Sequence, residues 1–245
     1  MNFYSVIIGT ELLNGRRKDA HFEFLNSELL KRGWEQKASF VIDDKPSFIE
    51  DIFKFIKNDP DAVLFSFGGI GATPDDFTRV CSANAFTSAK MEINDGAKKA
   101  ILDKFGDEAY PHRINMATLP LNAGLLKNVV TNVPGYYLEN KYFFMPGFPS
   151  MSQSMIIEAL DKFYPKNKPK YRLSLNAVCS ENILVDTMKQ IPQNIDMSSL
   201  PQINGVHRNT IISIASYDKN DTMKYFKYFT DYLDENNIEY TLKDN

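Results

Sequence analysis

Within its first 67 residues the chain sets three apolar runs in alternation with two amphipathic stretches, and that rhythm restricts the fold more than any other feature. Phe3 to Ile8 is β-branched and aromatic and is stopped by Gly9, as suits a buried parallel strand. The segment DAHFEFLNSELLKRG follows. It places Phe22, Leu25, Leu29 and Leu30 on one helical stripe, with Asp19 as N-cap and Gly33 just past the end. Residues 36 to 42, QKASFVI, supply a second strand, and Pro46 opens a second helix with Ile49, Ile52, Phe53 and Ile56 on one face. Ala62 to Phe67 is the third strand. Strand, helix, strand, helix, strand in short order predicts βαβ units: an α/β fold with a mostly parallel sheet, right-handed crossovers and helices on both faces. Ligands of such sheets sit beyond the carboxyl ends of the strands. The loop from Gly9 to Lys18, the IDDKP step and the glycine-rich stretch after Phe67 should therefore open on one edge.

Further along, YYLENKYFFM reads as a hairpin around Glu139-Asn140, and PGFPS introduces a helix from about Ser150 to Phe163. Residues 164 to 172, YPKNKPKYR, are rich in Pro and Lys and carry no periodicity. They read as a linker between a main domain, residues 1 to 165, and a small α+β domain, residues 172 to 245. In the latter the expected order is strand, helix (Glu181 to Ile191), strand (Thr210 to Ser216), helix (Thr222 to Asn236) and a short last strand.

Lys and Arg number 28 against 31 Asp and Glu, a net charge of −3, so no global field recruits nucleic acid or an anionic membrane. The N-terminal apolar run Val6 to Ile8 is too short for a signal peptide or a membrane span. Cys81 and Cys179 lie far apart, unlike a zinc cluster or a disulfide framework, and read as buried hydrophobes in a reducing compartment. A cytoplasmic protein with neither nucleic acid nor membrane as partner is expected.

The stretch FSFGGIGATPDDFTR, residues 65 to 79, carries the chemistry. Gly68, Gly69 and Gly71 allow positive φ and a close backbone approach, and with the Thr73 and Thr78 hydroxyls they form a candidate phosphate cradle. It is neither a Walker loop nor a Rossmann fingerprint. Thr73, Pro74 and Asp76 also fit N-cap, N1 and N3 of a helix, with Asp75 complementing the dipole. Carboxylates beside an anion site make chemical sense if Mg²⁺ or another hard divalent cation bridges them to phosphate oxygens.

GGIGATPDDFT resembles the signature of the molybdopterin-binding fold of MoaB and MogA type proteins, and the longer pattern resembles the N-terminal part of CinA-type proteins. IIGTELLNGRRKDAHFEFLNSELLKRG, FVIDDKPSFIEDI, RINMATLPLNAGLLKNVVTNVPGYY, FMPGFPSM and CSEN match that pattern in order, so the resemblance covers essentially the whole chain. Ala72 departs from a usual proline, His21 from a common Asn, and Thr131 from a usual Gly. Ser150 or Met151 stands where a carboxylate is usual. Many relatives continue into an amidase domain that deamidates nicotinamide mononucleotide. No stretch here matches it, and that activity is not expected.

The resemblance implies that Asp43 and Asp76 are the carboxylates essential in the molybdopterin enzymes, with Glu11 completing a metal shell. The rival reading of Asp43 is an Asx turn at a strand end. Gly68, Gly69, Gly71, Thr73, Asp75 and Thr78 would hold phosphate. Arg113 and Asn115 would neutralise phosphate or hold a purine edge, Asn128 would meet a ribose or base, and Pro146 and Gly147 would shape the rim. The implied ligand is a nucleotide or pterin phosphate, the implied activity a metal-dependent pyrophosphatase of the ADP-ribose type, and the implied assembly a dimer or trimer. Molybdopterin binding or adenylylation, and a non-catalytic ligand-binding module, are the alternatives.

Overall fold

The run Ala62–Phe67 is buried at every position, the pattern of a strand covered on both faces. In a computed structural model, which describes residues 1–164, 166–204 and 207–243, the chain divides into two units, 1–167 and 168–245. The first runs β1 (Asn2–Ile8), α1 (Thr10–Leu13), α2 (His21–Lys31), β2 (Gln36–Ile42), α3 (Pro46–Lys57) and β3 (Ala62–Phe67). It continues through α4 (Thr78–Phe86), β4 (Met91–Ile93), α5 (Asp95–Phe105), β5 (Thr118–Pro120) and β6 (Gly124–Leu126). β7 (Gly135–Leu138), β8 (Tyr142–Met145) and α6 (Pro149–Phe163) complete it.

The main sheet has the order β2-β1-β3-β8-β7-β6. β2, β1, β3 and β8 run parallel, and β7 and β6 add antiparallel neighbours. Strand alternation divides the core. Val6, Ile8 and Leu64 meet Ile49, Phe53 and Ile56 of α3 on one face, and Ile7, Phe65 and Phe67 meet Leu25 and Leu29 of α2 and Ile156 and Leu160 of α6 on the other. The hairpin turns at Glu139 and Asn140, both at positive φ (52° and 55°), as a two-residue loop matching strand twist requires.

The stripe expected on the first helix shrinks to two residues. Leu25 and Leu29 are fully buried, whereas Phe22 and Leu30 lie round the helix and are exposed. The Asp19 carboxylate accepts the N–H groups of His21 (2.9 Å) and Phe22 (3.0 Å), so it satisfies the helix start from one residue further out than a standard N-cap.

The second unit contains β9 (Tyr171–Ala177), α7 (Val185–Met188), β10 (Asp196–Asn204), β11 (His207–Ser216), α8 (Lys219–Glu235) and β12 (Tyr240–Lys243). Its antiparallel sheet, ordered β10-β11-β9-β12, packs Leu175, Ile212 and Ile214 against Phe226, Phe229 and Leu233 of α8. The helix expected over residues 181 to 191 is instead a 3-10 turn, Glu181–Leu184, followed by the single turn of α7. β10 was not anticipated, because DMSSLPQIN carries a proline and no strict alternation. Residue 165, inside the expected linker, lies outside the described residues. Cys81 and Cys179 are free and buried, and among the described residues no helix is long and apolar enough to cross a membrane.

His21 occupies an unusual place for an imidazole. It is 4 % exposed, stacks on Phe67 at 4.5 Å between centroids, and sets Nδ1 2.9 Å from Asp19 Oδ1, while the buried Nε2 has no partner. Burial pushes its pKa below the ordinary 6.5 more than the Asp19 carboxylate raises it. The unfolded chain thus binds a proton that the native state resists, and this contribution to stability is complete above the ordinary value and lost as pH falls below it. We expect His21→Asn to flatten the loss of urea resistance between about pH 7.5 and about pH 5, read from the unfolding midpoints of both proteins.

Candidate functional site

β1 and β3 end side by side at Ile8 and Phe67, and the chain leaves each strand through glycine. A cavity of about 530 Å³ opens at these ends. The stretch Gly68 to Thr73 lines it together with Asp75, Asp76, Glu11, Arg17, Asp44, Pro146, Gly147, Phe148 and Met151. Its apolar wall comes from Ile70, Phe105, Met116, Leu119, Val133 and Tyr136.

The glycine loop is held from below by Thr78, which is fully buried. The Thr78 hydroxyl donates to the Gly68 carbonyl at 2.9 Å, and its N–H to the Gly69 carbonyl at 2.9 Å. Gly68 also donates its N–H to Met145 at 2.9 Å. Both glycines sit at positive φ, +102° and +68°. A Cβ on Gly69 would stand 2.3 Å from the Thr78 hydroxyl, and one on Gly68 would stand 2.5 Å from the Ile8 carbonyl. Thr78 thus lies beneath the lining, where it shapes the loop.

The helix expected to start at Pro74 starts at Thr78. Residues 73 to 77 form a turn in which Asp76 Oδ2 accepts the Thr73 N–H at 2.7 Å and also the Thr73 hydroxyl. The carboxylate thus makes one half of a capping box, accepting the Thr73 N–H, whereas the Thr73 hydroxyl donates to that carboxylate and the Asp76 N–H goes to the Thr73 carbonyl at 3.0 Å.

Asp43 is outside the lining. It serves its own turn, accepting the Lys45 N–H at 3.4 Å and standing 3.3 Å from the Lys45 ammonium. The carboxylate that reaches the cavity from this loop is Asp44, whose Oδ2 accepts both the N–H and the hydroxyl of Thr10 at 2.8 Å. Arg113 and Asn115 are also outside it. Arg113 bonds to Glu108 Oε2 at 2.9 Å and stacks 4.5 Å over Phe105. Asn128 lines the cavity, but its amide is engaged in its own turn with Thr131 (2.7 Å) and Val133 (3.0 Å), so it fixes the wall.

Two arginines that sequence reasoning did not select bring positive charge to the lining. Arg17 donates to the Gly147 carbonyl at 2.6 Å, lies 3.6 Å from Glu11 Oε1 and stacks 5.2 Å over Phe148. Arg79 donates to the carbonyls of Gly71 (2.9 Å), Thr118 (3.3 Å) and Asn115, while its buried Nε has no partner. Burial pulls its pKa down, yet guanidinium remains charged. The available signal was position: Arg17 falls in a loop already expected on this edge, and Arg79 lies three residues beyond Asp76.

Glu11, Asp44, Asp75 and Asp76 give the lining oxygen donors. Glu11, Asp43 and Asp76 are not gathered into one set, and among the described residues no three His, Cys, Asp or Glu side chains converge on a point that would hold an ion.

A parallel sheet whose strand ends frame a glycine loop, two guanidinium groups and an apolar wall defines an α/β protein with a small-molecule cavity. The chain belongs to the family described as "Probable molybdopterin binding domain", whose model matches residues 5–166, and within it to the CinA type with a MoaB/MogA-like domain. The CinA-like protein of Fusobacterium nucleatum is 29% identical over 191 residues, 76% of this chain and 47% of that protein. The CinA-like protein of Geobacter sulfurreducens is 30% identical over 166 residues, 65% of this chain and 40% of its own length. The chain thus spans about half the length of the curated relatives it matches. Among solved structures, a CinA protein of unknown function from Thermoplasma acidophilum is 26% identical with a TM-score of 0.59, covering 66% of this chain and 98% of its own.

Gly69→Ala should destabilise the protein by about 1–3 kcal/mol, from positive φ and the displaced Thr78 hydroxyl. Denaturant unfolding would measure the loss.

Proposed function

We propose that the cavity binds a nucleoside diphosphate conjugate such as ADP-ribose and hydrolyses its pyrophosphate with the help of a divalent cation. One juxtaposition supports this reading: a single cavity is lined by the glycine loop, Arg17 and Arg79 and also by the apolar side chains of Ile70, Phe105, Met116 and Leu119. Guanidinium groups and glycine-loop backbone suit phosphate oxygens, and an apolar wall suits a heteroaromatic ring. A pyrophosphate-linked conjugate carries both parts.

In this reading Arg17 and Arg79 fix the phosphates. Asp76, held in place by Thr73, orients the attacking water. The water oxygen bonds to one phosphorus, the bridging P–O bond breaks, a carboxylate takes up the proton, and AMP and ribose 5-phosphate leave. Glu11, Asp75 and Asp76 offer the hard oxygen donors that suit Mg²⁺, which commonly takes one or two carboxylates and completes its shell with phosphate and water. Such a cation, when bound, supplies neutralisation of the phosphate charge.

The family match over residues 5–166 favours a second reading, in which molybdopterin is bound or adenylylated on the same loop. Ala72 and Met151, both in the lining, motivate a third, a ligand-binding module without turnover. Incubation with ADP-ribose and Mg²⁺, Mn²⁺ or Co²⁺ should release AMP, and Asp76→Asn should slow release by roughly 10²–10⁴-fold. No AMP with any of the three metals overturns hydrolysis. Nucleotide affinity retained in Asp76→Asn without turnover in either protein supports the module, and rescue of a cofactor-deficient strain supports the molybdopterin reading.

A further inference from the structure

The order of strands in the main sheet sets an order among the groups that line the cavity. β2, β1, β3, β8 and β7 lie side by side. Asp44 enters just past β2, Glu11 and Arg17 past β1, the glycine loop past β3, and Pro146 and Gly147 past β8, while Val133 and Tyr136 flank the start of β7. Neighbouring strands stand about 4.8 Å apart, so the end of β2 is about 10 Å from the end of β3, and the start of β7 is as far away on the other side. The glycine loop is therefore in the middle of the row. Asp44 stands at one end of it and apolar side chains at the other.

The Asp44 carboxylate is held by one oxygen and open at the other. Its Oδ2 accepts the N–H and the hydroxyl of Thr10, both at 2.8 Å, which orients the group. Among the described residues no donor or cation engages Oδ1. An ionised carboxylate only accepts, so whatever meets that oxygen has to donate. In a nucleoside diphosphate conjugate the phosphates carry no donor, and the base suits the apolar wall. The hydroxyls of the sugar beyond the second phosphate are the donors that remain. A free terminal phosphate in the same place would instead bring like charge against a carboxylate that has no cation partner among the described residues.

We propose that Asp44 is the specificity-determining residue for the group beyond the second phosphate: its Oδ1 accepts the hydroxyls of a terminal pentose, and its charge turns away nucleotides that end in free phosphate. The proposal rests on the reading of the cavity as a nucleoside diphosphate site, and it adds which end of the conjugate goes where. Neighbouring hydroxyls of a ribose present two donors on one side, and a carboxylate at a strand end is a general means of taking them. Thr10 contributes by position, because the two bonds it gives to Oδ2 leave Oδ1 as the oxygen free to receive the sugar.

Calorimetric titration of the full chain with ADP-ribose, and with the β-methyl ester of ADP, which has the same charge and lacks the sugar, tests it. ADP-ribose should bind the more tightly by roughly tenfold or more, the scale of a hydrogen bond to a charged group. Asp44→Ala should abolish that preference. If the alanine variant unfolds for want of an acceptor for Thr10, Asp44→Asn supplies one and should at least halve the ratio of the two affinities. The titrations are run in EDTA, and in Mg²⁺ on the Asp76→Asn protein so that turnover does not consume the ligand. Equal affinity for the two ligands, or a preference unchanged by substitution of Asp44, overturns the proposal and leaves the nucleotide reading standing. A preference present in Mg²⁺ and absent in EDTA assigns Asp44 to a cation and also overturns it. Binding of neither ligand under either condition removes the nucleotide reading and the proposal together.

Discussion

A buried threonine under a glycine loop is the interaction on which the site rests. Thr78 opens α4, and its hydroxyl and N–H both hold carbonyls of the loop at 2.9 Å. With those carbonyls turned down and Gly68 tied to Met145 at the end of β8, the loop is pinned to two strands and one helix. Positive φ at both glycines follows from this geometry, and no side chain fits the space it leaves. A loop so restrained loses little entropy on meeting a ligand, which is the physical content of preorganisation.

Carboxylates beside an anion site need a source of positive charge, and the fold supplies it from two directions. Arg17 is half-exposed, with one nitrogen on the Gly147 carbonyl and another 3.6 Å from Glu11, and since that ion pair is worth about 0–1 kcal/mol in water this second nitrogen can transfer to a stronger partner at little cost. Arg79 is different. It is drawn out of water and steadied by backbone carbonyls, which leave its charge uncancelled. One arginine is adaptable and the other fixed, and both line the cavity together with the glycine loop.

The parts of this architecture that were legible in the sequence are those set by periodicity. Ala62–Phe67 and the β7–β8 hairpin could be read because continuous apolar runs and a turn-forming Glu139-Asn140 leave few alternatives. β4, β5 and β6, three residues each, are too short to impose a period. The glycine loop was visible because glycine has few uses other than unusual backbone. Asp44 was not separable from Asp43, since in a turn neighbouring side chains diverge by an angle the sequence does not encode. TPDD misled for a related reason: its carboxylate makes the capping-box bond to the Thr73 N–H, yet closes only a turn, and the helix starts at Thr78. Arg79 left no pattern because its partners are backbone carbonyls.

β2 is the edge strand of the main sheet, and the turn just past its last residue brings Asp44 to the cavity. Its last residue, Ile42, accepts the Gly9 N–H at 3.0 Å, and Asp44 just beyond holds Thr10. From Thr10 the chain turns through α1 to Glu11 and Arg17, whose N–H returns to the Glu11 carbonyl at 3.1 Å. The end of β2 and the arginine-bearing loop are therefore joined by a continuous run of hydrogen bonds, and Arg17 takes its position from the sheet as well as from Gly147.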